Sequence, residues 1–127
     1  MERHERERGQ TLVEFALSLA LLVLIFFGIF DLGRAFQAYI VITNAAREGA
    51  YYGAMHPSST AGIVTRAISE AQGSGIALSA ANVAISGSGI PGTPLRVTVH
   101  YDFSLFSSFL PGRTGIRLQS SAEMVTY

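Results

Sequence analysis

Few residues in this chain are placed to do chemistry. His4, His56 and His100 are scattered, and no pair of histidine or carboxylate side chains falls at metal-ligand spacing on one helix face, so no metal site is expected. The lack of cysteine removes thiolate ligands, disulfides and a thiol nucleophile, and leaves the redox compartment open. His100 and Asp102 share one face of a strand-like segment and serines are plentiful, but a triad needs three groups converging in a shaped pocket, which a small sheet does not offer. His100 therefore reads as an exposed strand residue. With no phosphate-binding loop either, no enzymatic activity, cofactor or small-molecule substrate is expected.

The residue in an unusual position is Glu14. It stands near the start of L-V-E-F-A-L-S-L-A-L-L-V-L-I-F-F-G-I-F, a run of 19 residues, 12 through 30, that carries no other charge. A carboxylate at the bilayer centre costs roughly 2.5 to 3.5 kcal/mol on insertion scales, and less towards the interface. Two readings account for Glu14. In one it sits in the headgroup layer, near a helix N-terminus whose dipole favours an anion. In the other the chain is cut after Gly9, which leaves a new α-amine at Gln10, four residues from Glu14 and on the same helix face. Within an assembly, the amine of one subunit then neutralises Glu14 of a neighbour inside an apolar helix bundle.

The element that positions Glu14 is a membrane span. A hydrocarbon core of about 30 Å takes about 20 apolar residues as a helix, and residues 15–30 lack the polar stripe of a soluble core helix. Arg3, Arg6, Arg8 and the free amine outweigh Arg34 and Arg47 beyond the run, so the N-terminus is expected in the cytoplasm and the remainder outside. A signal peptide would be cut after small residues, but G-I-F-D-L-G-R offers no Ala-x-Ala, so the segment is expected to be retained. Ahead of it, M-E-R-H-E-R-E-R-G reads as a polar tail rather than a fold element.

At 127 residues, the remainder can form one compact domain. Residues 31–55 contain no proline and continue the helix, with Asp31 and Arg34 spaced i,i+3 to pair, until His56-Pro57 stops it. Along this extension Ala45, Gly49 and Gly53, and beside them Ala46, Ala50 and Ala54, recur at i,i+4. Such rows mark either close packing against another element or a fraying helix end.

A second helix is predicted over 60–72, with Ile63, Val64, Ala67, Ile68 and Ala71 on one side, Ser59 or Thr60 as its cap and Gly73 as its stop. Three strands follow, over 82–86, 95–103 and 116–127. The middle one alternates, with Leu95, Val97, Val99, Tyr101 and Phe103 on one face and Arg96, Thr98, His100 and Asp102 on the other. G-S-G-I-P-G-T-P between the first two is turn chemistry. The expected fold is α+β: a long transmembrane helix extending into a small domain with one further helix and a three-stranded antiparallel sheet. The loop before the last strand carries Leu105, Phe106, Phe109 and Leu110, which either fold back on the core or touch the membrane or a partner. All nine basic residues are arginine, the formal net charge is zero and no basic face stands out, so no nucleic-acid partner is expected.

The stretch R-G-Q-T-L-V-E-F-A-L, then F-G-I-F-D-L-G-R-A-F and T-N-A-A-R-E-G-A, closely resembles the TadE-like family of pseudopilins from tight-adherence (Tad, or Flp) pilus systems. The likeness is strong over residues 8–54 and weak afterwards. It implies cleavage by a prepilin peptidase at the Gly9–Gln10 bond, which places Glu14 and Phe15 at the fifth and sixth mature positions as subunit-assembly residues. It also implies a non-catalytic, membrane-inserted minor pilin that helps assemble or prime an adhesive pilus. Its partners would be other pilins and pseudopilins, the peptidase and the inner-membrane assembly platform. The implied organisation is a cytoplasmic leader (1–9), a transmembrane helix (10–33), a helical extension (34–56) and an exported α+β domain (57–127). Family members commonly carry a proline shortly after the Glu-Phe pair, where this chain has Ser18-Leu19-Ala20, so its helix is expected to be straighter. The rival reading is an uncleaved single-pass anchor for an extracytoplasmic binding module.

Overall fold

The computed structural model describes residues 2–106 and 115–127, with side chains from residue 7 onward. Helix α1 runs unbroken over Glu2–Met55, 54 residues and therefore about 80 Å at 1.5 Å per residue. The expected N-terminal tail is thus helical from Glu2. Glutamate and arginine are good helix formers, no proline intervenes, and adding turns to an existing helix carries no nucleation cost. At the other end Pro57 disfavours helical geometry at His56, and α1 stops at Met55. The His56 N–H still donates to Tyr52 O (2.9 Å), and the two rings stack at 4.5 Å.

The two halves of α1 face different surroundings. The first is long and apolar enough to cross a membrane, and none of its apolar window is buried within the chain. In the second, Ala38, Val41, Ile42, Ala45, Ala46, Ala50 and Ala54 are buried, a stripe with the helical period. Helix α2 (Thr60–Gly73) covers part of that stripe through Ile63, Ala67 and Ala71. Ser59 takes the N-cap position but makes no side-chain cap bond. The predicted stop at Gly73 falls slightly early. Gly73 is still helical, and Gly75 (φ +85°) reverses the chain, donating its N–H to Gln72 O at 3.0 Å, while Ile76 N–H reaches Ala71 O at 2.9 Å.

A short 3-10 turn (Ala80–Asn82) leads into the sheet, in which β1 (Val83–Ser86), β2 (Pro94–Phe103) and β3 (Ile116–Val125) lie antiparallel in the order β1-β2-β3. Leu95, Val97, Val99 and Phe103 of the central strand are buried on the face towards the helices. On the opposite face the register places charged and hydroxyl pairs directly across from each other: Arg96 on Glu123, Thr98 on Ser121 and Asp102 on Arg117, each with a contact of 2.8 Å. A slip of one residue would break all three pairs and turn Val97 and Val99 to solvent, so the register is specified from both faces.

Strand β3 ends two residues earlier than predicted because Thr126 leaves the ladder. It is buried, its hydroxyl donates to Ile90 O (2.6 Å), and Tyr127 N–H then donates to Ala54 O (2.9 Å), one of the carbonyls that the end of α1 leaves without a helical partner.

Close approach of α2 and β2 to α1 falls at the small-residue row. A Cβ on Gly53 would overlap Leu95 Cδ2 and lie 2.9 Å from Ile63 Cδ1. One on Gly49 would meet Val97 Cγ1 at 3.3 Å and Ala67 Cβ at 3.4 Å, which small shifts relieve. Alanine gains about 1 kcal/mol of helix propensity over glycine, whereas overpacking a core costs about 1 to 3 kcal/mol. Gly53→Ala should therefore lower the denaturation midpoint in detergent, and Gly49→Ala should stay within about 1 kcal/mol of the parent. A Gly53→Ala variant as stable as the parent would contradict the close approach.

Candidate functional site

Where the bare half of α1 meets the packed half, the helix carries a buried carboxylate. Asp31 is 4% exposed. Its Oδ1 accepts the Phe106 N–H at 2.8 Å and lies 3.4 Å from Nη1 of Arg34, one turn further along. The Arg34 guanidinium stands 5.1 Å from the centroid of the Phe103 ring, a cation–π distance. Just beyond β2, the Phe106 ring stacks on Phe27 (5.8 Å between centroids, 10° between planes) and meets Phe30 edge-on at 6.4 Å. The end of β2 is thus strapped to α1 over residues 27–34. A second link lies deeper in the domain, where Thr43 Oγ1 is 2.9 Å from the buried Ser120 Oγ of β3.

The i,i+3 spacing predicts the Asp31–Arg34 contact, but not Phe106, which lies 75 positions from Asp31. The signal available was a lone carboxylate at the end of an apolar run, together with apolar residues in a loop. Of that loop cluster, Phe106 reaches the helix and Leu105 is half-buried, while Phe109 and Leu110 lie outside the described residues.

The other sequence-nominated residues form two separate groups. Gly9, Gln10, Glu14 and Phe15 are all exposed on α1, with nothing within 4 Å of a Cβ placed on Gly9. Gln10 and Glu14 are one turn apart on the same side. Ala45, Gly49 and Gly53 are buried between α1, α2 and β2. From Phe15 to Ala45 the helix advances about 45 Å, so the two groups do not share a site.

Open clefts flank the domain. One of about 200 Å³ is bordered by Arg34, Gln37, Ser74, Tyr101 and Phe103, and another of about 250 Å³ by Asp102, Ser104 and Arg117. A wider apolar groove of about 780 Å³ lies at the far end among Tyr51, Met55, Met124, Val125 and Tyr127. Among the described residues no group of histidine and carboxylate side chains is placed to hold a metal ion. His100 is half-buried rather than exposed as the sequence suggested, and its Nδ1 is buried without a hydrogen-bond partner among them. It sits on the middle strand, where flanking strands cover side chains that alternation alone assigns to solvent.

Asp102, on the same face as His100, is engaged by Arg117, with Nε on Oδ1 at 2.8 Å and Nη2 on Oδ2 at 3.3 Å. Those hydrogen bonds hold its carboxyl below the ordinary 3.8, with a smaller opposing push from desolvation, and raise the guanidinium in turn.

A single long apolar helix feeding a small α+β domain fits a single-pass membrane protein. Residues 9–50 match the model of the family described as TadE-like protein. The segment takes in the apolar run, Glu14, Asp31 and the first two members of the small-residue row, Ala45 and Gly49. No curated protein and no solved structure matches the chain.

Asp31→Ala leaves the Phe106 N–H without its acceptor, a loss worth about 1 to 3 kcal/mol for a buried donor. Urea denaturation in detergent should show that loss, with Asp31→Asn, which keeps an acceptor oxygen, falling between the two. Equal stability of all three proteins would dissolve the strap. For Asp102 the depressed carboxyl contributes stability that is present above its unfolded value of about 3.8 and is lost as pH falls through the lower folded value. Replacing Arg117 with alanine should move the Asp102 titration, followed by NMR, back up towards 3.8. An unmoved titration would show that Arg117 is not the cause.

Proposed function

We propose that this protein is a minor pilin, or pseudopilin, that acts in assembly of a Tad-type adhesive pilus after a prepilin peptidase removes residues 1–9. The observation that carries the reading is Glu14: a carboxylate exposed on the bare half of α1, with no partner among the described residues, inside a segment that is TadE-like. A lone carboxylate on an apolar helix is tolerated at a membrane surface but costly inside a bundle, unless a cation meets it there. Cleavage at Gly9–Gln10 creates such a cation one turn away. Gly9 is also the weakest helix former in the first turns, so the leader unwinds there at the least cost before it is cut.

In this reading the N-terminus is cytoplasmic, the helix crosses the inner membrane once, and the α+β domain lies outside. The partners are other pilins and pseudopilins, the peptidase and the inner-membrane assembly platform. Recognition runs through helix surfaces.

The test has two arms. Intact mass of the membrane-extracted protein, co-expressed with its prepilin peptidase, should correspond to a chain beginning at Gln10. Retention of residues 1–9 would favour the uncleaved anchor of a binding module instead. Glu14→Ala should still insert in the membrane, yet recover fewer partner pilins in a pull-down, and undiminished recovery would place Glu14 at the interface without a role in assembly.

A further inference from the structure

We propose that the end of β2 docks into lipid, with the Phe106 side chain entering the acyl chains of the leaflet on the domain's side, so that the domain is seated in the bilayer surface rather than held above it. The inference rests on α1 spanning the membrane. Residues 12–30 rise about 28 Å as a helix, close to the roughly 30 Å of a hydrocarbon core, so the run has no slack and its last residues must lie in the hydrocarbon or at its edge. Phe27 and Phe30 are among those last residues, and a ring stacked on Phe27 shares its depth.

Phe106 is that ring, and it is 58% exposed. Immersion of a segment outside α1 requires that its backbone groups find partners away from water, and the Phe106 N–H has one in Asp31. The chemistry then changes in the order an interface demands. One turn beyond Phe27 comes the Asp31 carboxylate, and beyond that Arg34, whose side chain is 40% exposed, with its guanidinium over the Phe103 ring and 3.4 Å from Asp31, so that charge appears where the headgroup layer begins. Ile116, opposite Phe103 in the ladder, is another half-exposed apolar residue at this end of the sheet. The occupant that fits exposed apolar side chains continuous with a membrane span is lipid itself.

The chain contains no tryptophan, so single tryptophans report on single positions. Phe106→Trp, Leu24→Trp and Ile90→Trp would be reconstituted in phosphatidylcholine vesicles with and without bromine on the acyl chains. Leu24 reports on the span itself, and Ile90 on the far end, where its carbonyl binds Thr126. Phe106→Trp should emit at shorter wavelength than Ile90→Trp and lose emission to the brominated lipid, as Leu24→Trp does, while Ile90→Trp does not. Water-like, unquenched emission from Phe106→Trp beside a quenched Leu24→Trp would overturn the docking and leave the span standing. Blue-shifted but unquenched emission would overturn it in favour of a protein cover. If Leu24→Trp also escapes quenching, the membrane reading itself fails. The unmodified protein supplies a check free of substitution: in nanodiscs carrying an acyl-chain nitroxide, the Phe106 amide resonance should broaden while that of Ile90 stays sharp, and a sharp Phe106 resonance overturns the proposal.

Discussion

One uninterrupted helix has to satisfy lipid along its apolar run and a protein core further along. An α-helix satisfies its own backbone in either medium, so the change from one to the other is written entirely in side chains: large apolar groups all round in the first half, small ones on a single stripe in the second. The small stripe is what lets α2 and β2 come close. At Gly53 the approach leaves no room for a methyl group, and the domain's core is filled by Ile42 of α1 together with Ile63, Leu95, Val97 and Val99 from the elements that pack on it. The sheet depends on that arrangement because only its inner face is apolar, and the helix is what covers it.

Much of this was legible in the sequence, for identifiable reasons. The apolar run, the proline stop after Met55, the amphipathic α2 and the alternation of β2 are local patterns with fixed periods, and each element appears where its period places it. The edges moved where a local rule met a tertiary contact. Strand β3 ends early because Thr126 turns to bind Ile90, the turn after α2 falls at Gly75 rather than Gly73, and the N-terminal segment is helical because it continues a helix already formed. The strap at Asp31 was only half legible, since the pairing with Arg34 is a matter of spacing but the contact with Phe106 joins residues far apart in the chain. The small-residue rows left two readings open. Which one applied depended on what lay opposite, and periodicity carries no such information.

Two of the carboxylates on α1, Asp31 and Glu14, show how position sets meaning. Asp31 is buried and its hydrogen bonds are made within the chain, so it fastens the domain to the helix. Glu14, on an exposed face among leucines and phenylalanines, has nothing comparable among the described residues. One looks inward and serves the fold. The other stands bare among the described residues, where a group from outside the chain has access to it.

Strand β2 runs back along α1 from its far end towards the membrane half, and the sheet is clasped to the helix at both ends: Tyr127 to Ala54 at one, Phe106 to Asp31 at the other. The two clasps are 23 residues apart along the helix, 31 to 54, or about 35 Å. In mechanical terms the sheet is a splint lashed parallel to a rod. Tension applied along the rod over that stretch is shared between helix and sheet, and there is no pliant joint between span and domain to absorb it, so a pull or a twist on the membrane half is passed to the domain nearly undamped.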